Sequence, residues 1–186
     1  TVLEAKVRLL PWPKVRSLLV LGYPSVYEAG DHVVAIRESG CQGLEGLDDR
    51  LVEDMLKKGI HPKDTKLLPE GKGWLMVEFG GDSKEEADAK AHALMARLRG
   101  RPHAPSMKLF DDAEEEQHLW KVRESGLGAT ARVPGQKRDS WEGWEDAAVP
   151  PAQLGAYLRE FRQLLDTYDY ACALYGHFGD GCVHTR

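Results

Sequence analysis

Residues 73–79 (GWLMVEF) form a short apolar run closed by Gly80 and Gly81, and the strongest helix signal in the chain follows directly, over 84–99. A run this short, bounded by glycine, suits a buried central strand. The helix is rich in Ala, Glu, Lys and Leu, takes Asp82 or Ser83 as its cap and stops at Gly100. A chain built from such pairs must bury a sheet under helices, and the pattern recurs on both sides. Residues 15–23 (VRSLLVLGY) read as a second buried strand. Ser25 then caps a helix to about Glu38 with Val26, Ala29, Val33 and Ile36 on one face. Residues 40–46 read as a break carrying Leu44 and Glu45, and 49–58 as a short helix stopped by Gly59. Further along, 107–110 is a strand, 113–124 a helix, 134–144 a loop and 146–150 a strand ending in proline. Pro151 opens a helix to about Tyr168 whose buried stripe is Leu154, Leu158, Phe161 and Leu165, and 170–175 is a last strand. Strands and helices alternate, yet several connections are short. The expected class is therefore α+β, an antiparallel sheet with helices packed on one face in the ferredoxin-like manner, with a parallel doubly wound sheet as the runner-up.

The 186 residues suit a single domain, expected to span 1–186. The balance of 25 Lys+Arg against 30 Asp+Glu gives a net charge of −5, which argues against nucleic acid as a partner, since phosphate neutralisation needs a basic face. No apolar run approaches the ~20 residues of a membrane span. Three cysteines, Cys41, Cys172 and Cys182, are too few for a disulfide framework, which makes a cytoplasmic setting the expectation. The chain lacks an initiator Met, and an alternating stretch, 5–9, begins almost at once. It ends a few residues after its most suggestive element, so it reads as an excised piece of a longer polypeptide.

That element is the segment 175–184 (YGHFGDGCVH). Asp-Gly between apolar arms signals a two-residue hairpin turn. Counting outward from Asp180-Gly181 pairs Gly179 with Cys182, Phe178 with Val183 and His177 with His184. Phe178 and Val183 would then anchor the turn in the core, while the histidines share the other face with Tyr175 and Arg186. Paired side chains start roughly 5 Å apart, close enough for two imidazoles to reach one metal ion. Two hairpin histidines satisfied by backbone partners are the plain alternative. Cys182 is expected to turn away from the histidines and pack as a small hydrophobe. Trp120 and Arg123, at spacing i, i+3, share a helical face. The acidic run 111–116 is read as a solvated helix start, and His32, His61, His92, His103 and His118 as surface or core residues.

The segment GHFGDGCVH closely resembles the Gly-His-x-Gly-Asp-Gly-Asn-x-His signature of FAD-linked oxidases, the glycolate oxidase, D-lactate and D-2-hydroxyglutarate dehydrogenase group. Three further segments agree in order. Residues 119–124 (LWKVRE) look like the family's Leu-Trp-x-x-Arg-Glu. Residues 145–150 (EDAAVP) look like its Asp-x-x-Val-Pro strand. An Ala-x-Val-Arg-Leu strand, a Leu-Val-Leu-Gly-Tyr strand and Leu44-Glu45-Gly46-Leu47-Asp48 are similar to the start of its C-terminal cap domain. The likeness is strongest to the long bacterial members that carry an iron-sulfur module, which would lie outside this chain.

The resemblance implies a truncated substrate-cap domain of an FAD-dependent oxidoreductase that turns a D-2-hydroxy acid into a 2-keto acid. FAD would be bound mainly by an upstream domain of the same polypeptide, and the fragment alone would be inactive. A peripheral membrane electron acceptor is compatible with this. His177 and His184 would hold a divalent ion, zinc or manganese, with a downstream Glu beyond Arg186. Arg123 would grip the substrate carboxylate in a fork, with Lys137 as a second cation. Arg123 and His184 are the catalytic candidates, and Trp120, Gly181 and Cys182 the cofactor-side ones. Cys182 replaces the family's Asn, and Leu127 stands where a substrate-contacting Thr is expected; Asp146 is read as orienting its loop. The competing readings are a non-enzymatic metal- or ligand-binding ferredoxin-like module and a degenerate cap that only mediates association. Arg123 separates an enzyme from a metal clip: in an enzyme it points into the histidine cavity, in a clip it lies on the far surface.

Overall fold

The computed structural model describes residues 2–9, 12–136, 140 and 146–186. The strand Val15–Tyr23 (β1) pairs along its whole length with Gly73–Gly81 (β3) and, on its other edge, with Ser106–Phe110 (β4). Gly43–Asp48 (β2) lies beyond β3, followed by Leu174–Gly176 (β6), Cys182–Thr185 (β7) and Asp146–Ala148 (β5). The order is β4-β1-β3-β2-β6-β7-β5, and every pairing is antiparallel. With the helices Val26–Arg37 (α1) and Lys84–Arg99 (α3), the first four strands make the β-α-β-β-α-β ferredoxin-like unit, so the α+β class holds.

The caps are those the sequence signals. Ser25 Oγ accepts the Glu28 N–H at 3.2 Å to start α1, and Ser83 Oγ accepts that of Glu86 at 3.3 Å to start α3. Alternation then sorts the sheet into two faces. Leu19, Leu21, Leu75, Val77 and Phe79 meet α1, α3 and Leu154–Thr167 (α6) on the first. Leu18, Val20, Leu47, Trp74 and Met76 meet Asp49–Lys57 (α2), Ala113–Glu124 (α4) and Gly126–Thr130 (α5) on the second. The expectation of helices on one face holds for α1, α3 and α6; α2, α4 and α5 cover part of the other.

Residues 40–46 are not simply a break, because β2 begins at Gly43. Its two glycines and a glutamate hide the strand from local propensity. Gly46 is required by packing: a Cβ there would overlap the ring of fully buried Phe178. The alternating stretch 5–9 is not a strand. It pairs with no strand among the described residues, and Val2, Leu3, Val7 and Leu9 are exposed.

The final turn also differs from the two-residue hairpin. β6 and β7 pair Leu174 with Thr185 and Tyr175 with His184, so His184 stands opposite Tyr175 rather than His177. Residues Phe178–Asp180 form a 3-10 turn, and Gly181 follows at φ +73°. Burying Phe178 against β2 pulls this segment out of the ladder. Gly181 takes the left-handed conformation, and Val149 N–H donates to its carbonyl at 3.0 Å.

Candidate functional site

On the second face, beyond the part the helices cover, the strands carry polar residues. β2 places Glu45 on the same side as Leu47, β6 supplies Tyr175, β7 supplies His184, and the turn after β6 presents His177. Arg123 enters from the last turn of α4, where the helix dipole favours a cation. It is 8% exposed, and its Nη2 donates to Glu45 Oε2 at 2.8 Å. Its guanidinium lies over the Tyr175 ring at 5.2 Å. His177 Nδ1 straddles the same carboxylate, 2.9 Å from Oε1 and 3.0 Å from Oε2. The His177 and His184 ring centres are 5.4 Å apart, edge to face, and Tyr175 and His184 are 5.3 Å apart. Five side chains from four elements thus meet in one cluster. Burial pushes the Tyr175 hydroxyl above its ordinary value, and neighbouring Arg186 and Arg123 offset this only in part, which keeps it protonated at neutral pH.

The tautomers follow from the partners. A carboxylate can only accept, so His177 carries its proton on Nδ1 toward Glu45, and His184 carries its own on Nδ1 toward Asp146 Oδ1 at 2.5 Å. The remaining nitrogen of each ring is Nε2. A histidine tied through one nitrogen to a carboxylate is the arrangement that orients the other toward a metal, so this donor set fits a divalent ion. Two histidines do not complete a site, and no group of three or more metal-ligating side chains occurs among the described residues. One imidazole cannot both hold a metal through Nε2 and act as a base while Nδ1 serves Asp146, so those two roles for His184 exclude each other.

Arg123 Nε is buried and has no hydrogen-bond partner among the described residues. An uncompensated buried donor costs about 1–3 kcal/mol, which a bound acceptor would recover. Such an atom suits a carboxylate ligand.

The structure therefore brings Arg123, His177 and His184 together, and Arg123 is not on the far surface. Trp120 is half-buried and packs against the core cluster of the second face. Cys182 lies two residues from His184 in β7, and alternation puts the pair on the same side, opposite buried Val183; the expectation that Cys182 turns away is corrected. Leu127 is exposed. Lys137, Gly143, Trp144 and Glu145 lie outside the described residues. Asp146 does orient a neighbour, but that neighbour is His184. In the acidic run, Asp112 caps α4, and Glu116 is drawn in to Lys84 at 3.3 Å. His61 and His118 each stand 3.1 Å from Asp64. Glu45 is the functional residue that sequence reasoning missed. Its one signal is its alternation with Leu44 and Leu47, which puts a carboxylate where only a partnered one is stable.

Residues 12–186 match the family of FAD linked oxidases, C-terminal domain. The chain is similar to D-2-hydroxyglutarate dehydrogenase of Pseudomonas putida, 30% identical over 192 residues that cover 100% of this chain and 19% of the relative. It is similar to the mitochondrial D-lactate dehydrogenase [cytochrome] of Arabidopsis thaliana, 25% identical over 99% of this chain and 31% of the relative. It is also similar to glycolate oxidase subunit GlcD of Escherichia coli, 28% identical over 97% of this chain and 34% of the relative. The chain thus spans between a fifth and about a third of the length of these relatives.

Proposed function

Because the chain belongs to the family of FAD linked oxidase C-terminal domains, we propose that it is the substrate-cap domain of an FAD-dependent enzyme that oxidises a D-2-hydroxy acid to a 2-keto acid. The observation that carries this reading is the convergence of a buried arginine with His177 through Glu45, and with His184 beside His177. A planar guanidinium with a spare N–H is suited to a substrate carboxylate. Arg123 holds that carboxylate and fixes the substrate in the cap. His177 and His184 hold a divalent ion, zinc or manganese, through Nε2, each ring set by its carboxylate. When bound, the ion supplies Lewis acidity that lowers the pKa of the 2-hydroxyl. FAD, held mainly by another domain of the same polypeptide, would supply the redox chemistry as hydride acceptor. The hydroxyl proton goes to a base other than His177 or His184, whose nitrogens are committed.

The three cysteines are free, which supports a reducing, cytoplasmic setting, and no helix among the described residues is long and apolar enough to cross a membrane. An iron-sulfur cluster and the electron acceptor belong, in this reading, to parts of the polypeptide or partners outside this chain, which spans 19% of the length of the Pseudomonas putida relative. A ferredoxin-like metal clip is the second reading, but it leaves the buried Arg123–Glu45 pair without a task.

The test is the absorption spectrum of the full-length protein. Flavin bands that bleach on addition of a D-2-hydroxy acid are expected. A protein that stays colourless after FAD is supplied would remove the oxidoreductase reading.

A further inference from the structure

Glu45 sits in a segment that marks the family but was given no chemical role by it, yet it touches Arg123 and His177. Its side chain is 14% exposed, and its acceptors serve Arg123 Nη2 at 2.8 Å and His177 Nδ1 at 2.9 Å. We propose that Glu45 is a positioning residue that couples the metal-holding histidine to the carboxylate-holding arginine, so that the two binding events influence each other. This rests on the reading of His177 and Arg123 given above.

The reason is that one carboxylate is divided between two donors. Accepting from Nδ1 fixes the tautomer of His177, aims Nε2 outward and raises the ring's basicity as a ligand. The same negative charge neutralises Arg123, which reduces what His177 receives. A substrate carboxylate arriving at Arg123 competes for the guanidinium and leaves more of the Glu45 charge to His177. Among the described residues, Arg123 reaches the histidines through Glu45 and the Tyr175 ring. Asp146 holds His184 in the same way but is 80% exposed and lies on the β5 edge, so it orients without coupling.

The test uses the metal-stripped full-length protein and zinc titration followed by calorimetry. Glu45→Gln removes the negative charge that the two partners share and turns one of its two oxygens into an amide nitrogen that only donates. Zinc affinity is expected to fall by about 10–100-fold. The metal-free variant should also unfold at a lower temperature, because buried Arg123 loses its counter-charge, so the titration is made below that temperature, where circular dichroism shows the variant folded. Arg123→Met should also change zinc affinity several-fold, and in the Glu45→Gln background it should change nothing further, the non-additivity expected of groups that act through each other. Should either variant fail to fold, Glu45→Asp, one methylene too short to span both partners, and Arg123→Lys give the same comparison with smaller changes. Unchanged zinc affinity in Glu45→Gln, or additive effects of the two substitutions, would overturn the coupling and leave the metal reading intact. Absence of zinc binding in the wild type would overturn both.

Discussion

Gly46 of β2 lies flat against the ring of Phe178, with no room for a Cβ between them. Phe178 follows His177 directly, so this contact fixes where the turn leaves β6 and where the His177 ring starts. Gly46→Ala forces the ring outward, and overpacking of this kind costs about 1–3 kcal/mol or more. Faster hydrogen exchange at the β6 and β7 amides, together with weaker metal binding, is the expected result. Unchanged exchange there would show that Phe178 does not hold the turn.

Arg123→Lys keeps the charge and loses the fork. Because the guanidinium is buried and shared with Glu45, kcat/KM for a D-2-hydroxy acid in the full-length enzyme should drop by about 100-fold or more, equivalent to roughly 3 kcal/mol. Steady-state kinetics decide this, and a change below about 5-fold would take Arg123 out of substrate binding.

Asp48 gives the fold a pH dependence. It caps α2 by accepting the Leu51 N–H at 2.9 Å and joins β6 by accepting the Leu174 N–H at 2.8 Å. Burial pushes its carboxyl up to about 7, against the opposing pull of those two N–H groups and Arg162. The folded state therefore holds a proton that the unfolded chain has lost, so this contribution is full below about pH 4, fades as pH rises toward 7 and is absent above. Thermal unfolding temperatures across this range should fall with rising pH. Asp48→Asn should flatten the slope, and an unaltered slope would assign it to other buried carboxylates such as Glu78 and Glu116, which burial shifts the same way.

Chelation tests the proposed metal separately from the proposed flavin. Dialysis against a chelator should abolish turnover while the flavin absorption remains, and added zinc or manganese should restore activity. Full activity after chelation would leave His177 and His184 as structural residues.

Asp146→Asn tests the exposed counterpart of Glu45. Its side chain is 80% exposed, so the variant should weaken zinc binding by only a few-fold, less than Glu45→Gln does. A larger loss than at Glu45 would reverse the ranking of the two carboxylates.

Much of this was legible in the residues themselves. Helix ends were, because Ser25 and Ser83 cap through contacts within a few residues of sequence. Buried strands such as β1 and β3 were, because runs like VRSLLVLGY exclude most other placements. The chemistry-bearing residues Arg123, His177 and His184 stood out through their motifs. By contrast, β2 was hidden, since glycine at Gly46 answers to Phe178, far along the chain. The stretch 5–9 misled in the opposite sense: alternation makes a strand only where the chain packs against a partner, and 5–9 pairs with none among the described residues.

The sequence by itself determined the α+β class, the caps, the core faces and the family signature, all of which depend on local spacing and short-range hydrogen bonds. Only the tertiary structure decided the register that sets His184 opposite Tyr175, the carboxylate that fixes each histidine tautomer, and the meeting of Glu45 with Arg123 and His177. The physical reason is separation along the chain. Glu45 lies 132 residues from His177, and an ion pair across such a distance leaves no local pattern to read.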